Sequence, residues 1–440
     1  MPGTNGQPQA LRPKGHRYLV LVIRLSILWL CQTHTSFRAV AFLHATLALF
    51  WSGFGACAAT LHAWFLRLGL FLLQRPVPRC ADCVWLVDHT VRLGVHRCLL
   101  IVGVSLAHLR SHGFTLNHHD VQVLALEVVT HSDGAVVAQQ FADVCARVGE
   151  PVQIVSDHGS DLAKGLRLFQ AKHPQVVATH DVTHALANLL EATLTSDPRW
   201  STFVQQCVVT RQQLQQSAGS FLVPPAWRSK ARYMHVAGHL RWANEILVLL
   251  QPGDPVTLAE QLGCRPAAAR TWLEEKLGWL RGFAEAVPRW RYCGWVVEQT
   301  ETIIKQRGLS QQSWWQVLGA VLNEPWPDVQ ALSFRQRVVE WVRAQGAQVP
   351  VGETYLGSTD VLESLFGKYK EKVAQAPNRE IGASILMLPV FVTEVTDALI
   401  QQALETVSAQ DVSDWLGKEL GPPARQKKQK VLDMAYELAE

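Results

Sequence analysis

The sequence predicts an α/β fold: a mixed five-stranded sheet, interrupted by a large all-α insertion and preceded by a small helical domain. Three observations lead there. Five short apolar, β-branched runs are concentrated between Cys83 and His180. The last two are each preceded by a helical pattern, as crossovers to parallel strands require. From Glu191 to Val351 the chain is helix-like and rich in tryptophan. The length of 440 residues accommodates about three domains of the usual size. Apolar residues make up 48% and charged residues 18%, with 41 Lys and Arg against 37 Asp and Glu for a net +4, which excludes a disordered polyelectrolyte. So small an excess does not by itself argue for nucleic acid. Nine cysteines, an odd number without regular spacing, do not form a disulfide framework and point to reduced thiols in a cytoplasmic protein.

Residues 1–17 are expected to be disordered and residues 18–79 to form the helical domain. From Ala39 to Leu66 there is no Asp, Glu, Lys or Arg, a run long enough to span a bilayer. Ser52-Gly53-Phe54-Gly55 breaks it, His44 and His62 lie inside it, and the earlier apolar stretch Leu19 to Leu30 carries Arg24, so no stable membrane partner is expected. Two short helices suit the segment better: one opening after Thr35 or Ser36, the other at Thr60. Leu61, Trp64, Phe65 and Leu68 share one face of the second helix, leaving His62 and Arg67 towards another. This spacing fits a helix-turn-helix in which Arg38, Thr60, His62 and Arg67 meet DNA, and it fits equally an ordinary helical hairpin with solvated arginines.

Strands are predicted at Val84–Val87, Cys98–Val104, Val121–Thr130, Val152–Val155 and Val176–Ala178, with helices at Val136–Val148 and Leu162–Lys172. The first three strands follow one another over short polar or Gly-containing links, as in an antiparallel meander. The order βββαβαβ is that of a ribonuclease H-like fold.

Asp88 ends the first strand and Asp157 the fourth. Two carboxylates on neighbouring strand ends repel unless a cation lies between them, and Mg²⁺ prefers such hard oxygen donors. Each aspartate could instead be a turn former, and Asp157 before His158-Gly159-Ser160 fits that role. Two-metal phosphoryl transfer usually needs a third acid. Glu363 supplies one, beside the apolar stripe Val361, Leu362, Leu365 and Phe366 of a helix that continues into Lys368, Lys370 and Lys372, cations suited to DNA phosphates. These same residues could form ordinary helical ion pairs. After the fifth strand, Asp181-Val182-Thr183-His184 opens a helix in which His184 either contacts a phosphate beside the metal site or merely orders the turn.

Trp85-Leu86-Val87-Asp88, Ile154-Val155-Ser156-Asp157, Asp181-Val182-Thr183-His184 and the segment from Ser358 to Lys370 together resemble bacterial insertion-sequence transposases of the DDE class. The Asp-x-x-His element is similar to one in transposases whose core carries a helical insertion. The resemblance implies that Asp88, Asp157 and Glu363 form an acidic triad binding two Mg²⁺ or Mn²⁺ ions. It also implies that the partners are DNA, as terminal inverted repeats and target, and that the chain forms a homodimer or higher oligomer on the DNA ends, in a cytoplasmic, nucleoid-associated setting.

The expected domains are a core formed by residues 80–192 and 352–408, an insertion at 193–351 and a basic tail at 409–440. In the insertion, one exposed tryptophan among Trp290, Trp295, Trp314 and Trp315 is expected to stack on a base of the transposon end. Cys80 and Cys83 have metal-ligand spacing, but no second such pair exists and zinc is not expected. A ribonuclease H-like nuclease without strand transfer, and an inactive or membrane-anchored DNA-binding relic, are the competing readings.

Overall fold

A computed structural model describes residues 11–33, 35–89, 96–157, 159–227, 236–253, 255–374, 381–422 and 424–437. Most of the expected disordered N-terminus, residues 1–10, lies outside the described residues. The chain divides into two compact units: residues 1–178 with 359–440, and residues 179–358.

The first unit is built on a mixed five-stranded sheet of order β3-β2-β1-β4-β5, with β1 at Cys83–His89, β2 at Arg97–Ser105, β3 at Gln122–Val129, β4 at Gln153–Ser156 and β5 at Val177–His180. β1 pairs antiparallel with β2 and parallel with β4, and β2 pairs antiparallel with β3. This is the ribonuclease H-like arrangement that the order of predicted elements called for. One face is covered by α5 (Gly134–Val148) and α6 (Ser160–Gln170). There Trp85, Val87, Leu99, Ile101 and Ile154 bury against Phe141, Val144, Leu166 and Phe169. The link between β2 and β3 is longer than a meander turn, because it contains α4 (Leu106–His112). Ser105 caps that helix by accepting the His108 N–H at 3.0 Å, and Gly113 ends it at φ 72°, a conformation that glycine adopts without steric cost.

Three N-terminal helices belong to the same unit: α1 (Val20–Gln32), α2 (Phe37–Leu47) and α3 (Ala58–Gln74). α3 buries Leu61, Trp64, Phe65, Leu66, Leu68, Leu70, Phe71 and Leu72, so it is apolar nearly all round, as a helix packed on several sides must be. A Cβ at Gly69 would lie 1.9 Å from the Leu386 carbonyl oxygen, so only glycine permits this backbone approach. Among the described residues no helix is long and apolar enough to cross a membrane.

The second unit is helical: α7 (Val182–Thr195), α8 (Arg199–Leu214), α9 (Val236–Leu249), α10 (Val256–Leu262), α11 (Pro266–Leu277), α12 (Ala286–Arg307), α13 (Ser313–Val321) and α14 (Val329–Gly346). Its aromatic centre sets Trp290 edge-on to Trp200 at 5.0 Å and beside Phe203 at 5.3 Å. Back in the first unit come α15 (Asp360–Ala374), α16 (Met387–Phe391), α17 (Asp397–Thr406), α18 (Ala409–Leu420) and α19 (Ala424–Glu437).

Candidate functional site

β1 and β4 run parallel in the register Val84↔Gln153 through Val87↔Ser156. One residue further, Asp88 and Asp157 stand opposite each other at the carboxyl ends of the two strands. Side chains alternate between the faces of a sheet. Since Trp85 and Val87 face α5 and α6, Asp88 belongs to the other face, while Asp157 follows the last residue of β4 and its carboxylate lies close enough to His89 to act on its charge. α15 packs against β1 and contributes none of its buried side chains to the α5–α6 core, which places Glu363 on the helix covering the Asp88 face of β1. All three acids are half-buried. Strand order sets the aspartates at neighbouring strand ends, and the apolar stripe of α15, Val361, Leu362, Leu365 and Phe366, is its buried side.

The aspartate pair offers the hard oxygen donors that a divalent cation takes. Among the described residues, however, no three His, Cys, Asp or Glu side chains come close enough to hold a metal ion. Asp88 and Asp157 thus end neighbouring strands and Glu363 lies on a helix packed against β1, without the three forming one ligand set among the described residues. Asp157 also has the turn-forming role: its Oδ1 accepts the Gly159 N–H at 2.9 Å, steering the chain into α6.

Around the end of β1, His89, Arg97, Ser132 and Asp161 form a network that the sequence reading missed. The Ser132 hydroxyl donates to Asp161 Oδ2 at 2.7 Å, and Arg97 Nη1 donates to the same oxygen at 3.2 Å. His89 Nε2 lies 3.3 Å from Ser132 Oγ, and its Nδ1 3.8 Å from Asp161 Oδ2. Burial alone would raise the Asp161 pKa; the Ser132 hydroxyl, His89 and the Leu162 backbone N–H outweigh it and hold the carboxylate below its usual range. Burial depresses the His89 pKa, against the opposing pull of Asp161 and Asp157. The residues come from four separate stretches of chain. The one sequence signal was a histidine directly after a strand-end acid.

In the helical unit, Asp181 caps α7. Its Oδ2 accepts both the His184 backbone N–H at 2.9 Å and His184 Nδ1 at 2.8 Å. Asp181 is buried, while the imidazole is about a third exposed. The turn-ordering role is thus visible: one carboxylate caps the helix start and holds the imidazole in one orientation, with the hydrogen on Nδ1.

Along α15, Lys368 is half-buried and Lys370 exposed. Lys372 is tied into the fold, its Nζ donating to the Thr35 carbonyl at 2.7 Å and the Thr33 carbonyl at 3.1 Å just past the end of α1. His118 Nε2 lies 3.1 Å from Ser364 Oγ, next to Glu363 in sequence. Its pKa is pushed down to about 4 by burial and by Lys368.

The residues assigned to a recognition helix are placed differently from that expectation. Arg67 turns inward and donates to the carbonyls of Leu404 and Val407 at the end of α17, with His16 at 3.2 Å. Its charge neutralises unpaired carbonyls at the negative end of a helix, which reassigns it from DNA to packing. His62 lies edge-on to Phe37 at 5.1 Å, and burial lowers its pKa. Thr60 Oγ1 is 3.3 Å from Cys57 Sγ at the start of α3. Of the four, Arg38 on α2 is the exposed one.

Among the tryptophans, Trp290 is a core residue, which removes it from the stacking candidates. Trp315 is 61% exposed and stacked on Trp314 at 4.2 Å, and the Arg343 guanidinium lies 5.3 Å over the Trp314 ring.

No protein-family model matches the chain, and no curated protein is similar to it. Among solved structures, it is similar to one described as the Drosophila P element transposase strand transfer complex. The two are 12% identical with a TM-score of 0.43, over 89% of this chain and 95% of that one.

Proposed function

We propose that this chain is a DNA transposase that cleaves and joins phosphodiester bonds at the ends of a mobile element. The observation that supports the reading is that Asp88 and Asp157 follow the paired residues Val87 and Ser156 at the carboxyl ends of adjacent parallel strands, with the helix bearing Glu363 packed against β1. In this reading Asp88 and Asp157 would hold a divalent cation, Mg²⁺ or Mn²⁺, and Glu363 would complete the set for two ions once DNA is bound. Metal at that position supplies charge stabilisation for in-line displacement at phosphorus.

The remaining roles belong to the chain's own residues. Lys368 and Lys370 follow Glu363 on α15 and would pair with DNA phosphates. His184, oriented by Asp181, would contact a phosphate or a leaving oxygen. Arg38 is the cation of the N-terminal helices left in solvent for DNA. The DNA partners would be the element's terminal inverted repeats and its target, engaged by two or more copies.

The test is a cleavage and joining assay on duplexes carrying the DNA that flanks the coding region, with Mg²⁺ or Mn²⁺ present. Cleaved ends joined to a target duplex support a transposase. Cleavage without joining supports a ribonuclease H-like nuclease, and binding without either product supports an inactive relic.

A further inference from the structure

We propose that the apolar face formed by α2 and the turn after it is a self-association surface, occupied by the same face of a second copy of this chain. The inference is independent of the catalytic reading.

α2 buries only Val40 and His44. Its opposite side and the following turn display Phe42 at 76% exposure, Leu49 at 79%, Phe50 at 72% and Trp51 at 59%. Leu43 is exposed beside Phe42, and the rings of Phe50 and Trp51 lie 6.0 Å apart. A helix on the surface of a monomer normally turns charged or polar residues to water; here the outward side is the apolar one. An exposed cluster of this kind marks an interaction site.

The cluster is fixed from beneath. The turn is closed by Leu49 N–H to Thr46 O, and by Phe50 and Trp51 N–H to Leu47 O. Buried His44 ties it to its surroundings: Nδ1 accepts the Ala56 N–H at 3.3 Å, and Nε2 lies 2.7 Å from Ser26 Oγ. Ser26 in turn donates to the Val22 carbonyl of α1 at 2.7 Å. The aromatic rings therefore sit on a backbone held at both ends.

Charge and area select the occupant. No Asp, Glu, Lys or Arg occurs from Ala39 to Leu66. A nucleic acid would need cations here, and a helix lying on a membrane carries Lys and Arg along its polar side; the single Lys or Arg of α2 is Arg38, and Lys372 next to its start is tied to the Thr33 and Thr35 carbonyls. A neutral face meeting itself across a two-fold axis brings no like charges together. Three large aromatic side chains and two leucines present on the order of 500 Å² per copy, so a symmetric contact would bury about 1,000 Å², the lower bound for a specific interface.

The experiment is sedimentation equilibrium of the full chain without DNA over a concentration series. It compares the wild type with the triple variant Phe42→Ser, Phe50→Ser, Trp51→Ser and with the single variant Phe42→Lys. The expected result is a reversible wild-type dimer whose dissociation constant weakens at least tenfold in both variants, with unchanged melting temperatures. In parallel, hydrogen exchange of the unmodified chain should show protection of residues 42–51 that increases with protein concentration. A wild type that stays monomeric at tens of micromolar overturns the proposal, as does a dimer whose exchange at 42–51 is independent of concentration. Flotation of the wild type, but not the triple variant, with phosphatidylcholine vesicles in high salt would assign the face to a membrane instead and equally overturn it.

Discussion

Asp181 and His184 are joined twice, because one carboxylate oxygen accepts both the backbone N–H and the ring Nδ1 of the residue three positions on. The helix start and the imidazole orientation thus share a single support. Replacing Asp181 by Asn retains a good cap but weakens the hold on the ring. If His184 contacts a phosphate or leaving oxygen, Asp181→Asn should lower end cleavage by about 10- to 100-fold, the effect of losing an orienting partner in metal sites, with little change in melting temperature. Asp181→Ala removes the cap as well and should cost about 1–2 kcal/mol of stability by chemical denaturation.

Removal of any one of the three acids should act on chemistry rather than on folding. Asp88→Ala, Asp157→Ala and Glu363→Ala are each expected to reduce cleavage by at least on the order of 10²- to 10³-fold, the effect of deleting one transition-state contact, while DNA retention in a gel-shift assay stays near wild type. Undiminished cleavage in Glu363→Ala would move the third acid to Glu298 or Glu301, which pair with Arg241 and Lys305 at 3.2 Å.

Arg67 now carries a stability prediction. Arg67→Ala leaves the carbonyls of Leu404 and Val407 without their donor, and should destabilise the first unit by about 1.5–3 kcal/mol. DNA affinity and its salt dependence should be unchanged. A weakened binding isotherm with an unaltered melting temperature would restore the recognition role.

His44 makes stability depend on pH. Burial holds its pKa below the ordinary 6.5, so the unfolded chain takes up the proton first. The neutral ring's contribution is complete above pH 6.5 and is lost as pH falls from 6.5 towards the folded value. Urea midpoints should therefore decline below pH 6.5. His44→Gln should flatten that decline by as much as one proton, about 1.4 kcal/mol per pH unit. An unchanged slope would assign the effect to His62, His89 or His118, whose pKa values are also lowered.

The tryptophans should separate into two classes. Trp290→Ala should destabilise by about 3–5 kcal/mol, since it empties the aromatic centre. Trp315→Ala should leave stability within about 0.5 kcal/mol. If Trp315 stacks on a base, DNA binding should weaken by about 1–3 kcal/mol; unchanged binding and end processing would confine Trp315 to the surface it shares with Trp314.

The sheet was legible because alternation and β-branching are local signals. Strands predicted at 84–87 and 98–104 lie within Cys83–His89 and Arg97–Ser105, and the helix expected at 136–148 lies within Gly134–Val148. That Asp88 and Asp157 would end neighbouring strands was legible for a related reason, since the order of elements decides which strands pair. What escaped depends on distant chain. Nothing in residues 58–74 announces that Arg67 will meet Leu404, or that Gly69 will meet Leu386. The Asp161 network draws on two strand ends, a loop and a helix start, and no spacing rule links them. α4 was missed because a Ser cap and a closing Gly around seven residues resemble a turn until they are seen hydrogen-bonded.

The division of the first unit into two stretches of chain has a consequence during synthesis. α3 emerges early with its apolar surface complete, yet the helices α16 and α17 that cover it follow roughly 300 residues later, which at 5–20 residues per second leaves about 15–60 s of exposure on the ribosome. During that interval the whole helical unit, residues 179–358, is made, while α3 waits for its neighbours. Production of this protein should therefore respond more to chaperone supply and translation rate than a contiguous domain of the same size would, with truncations before Met387 accumulating as aggregates.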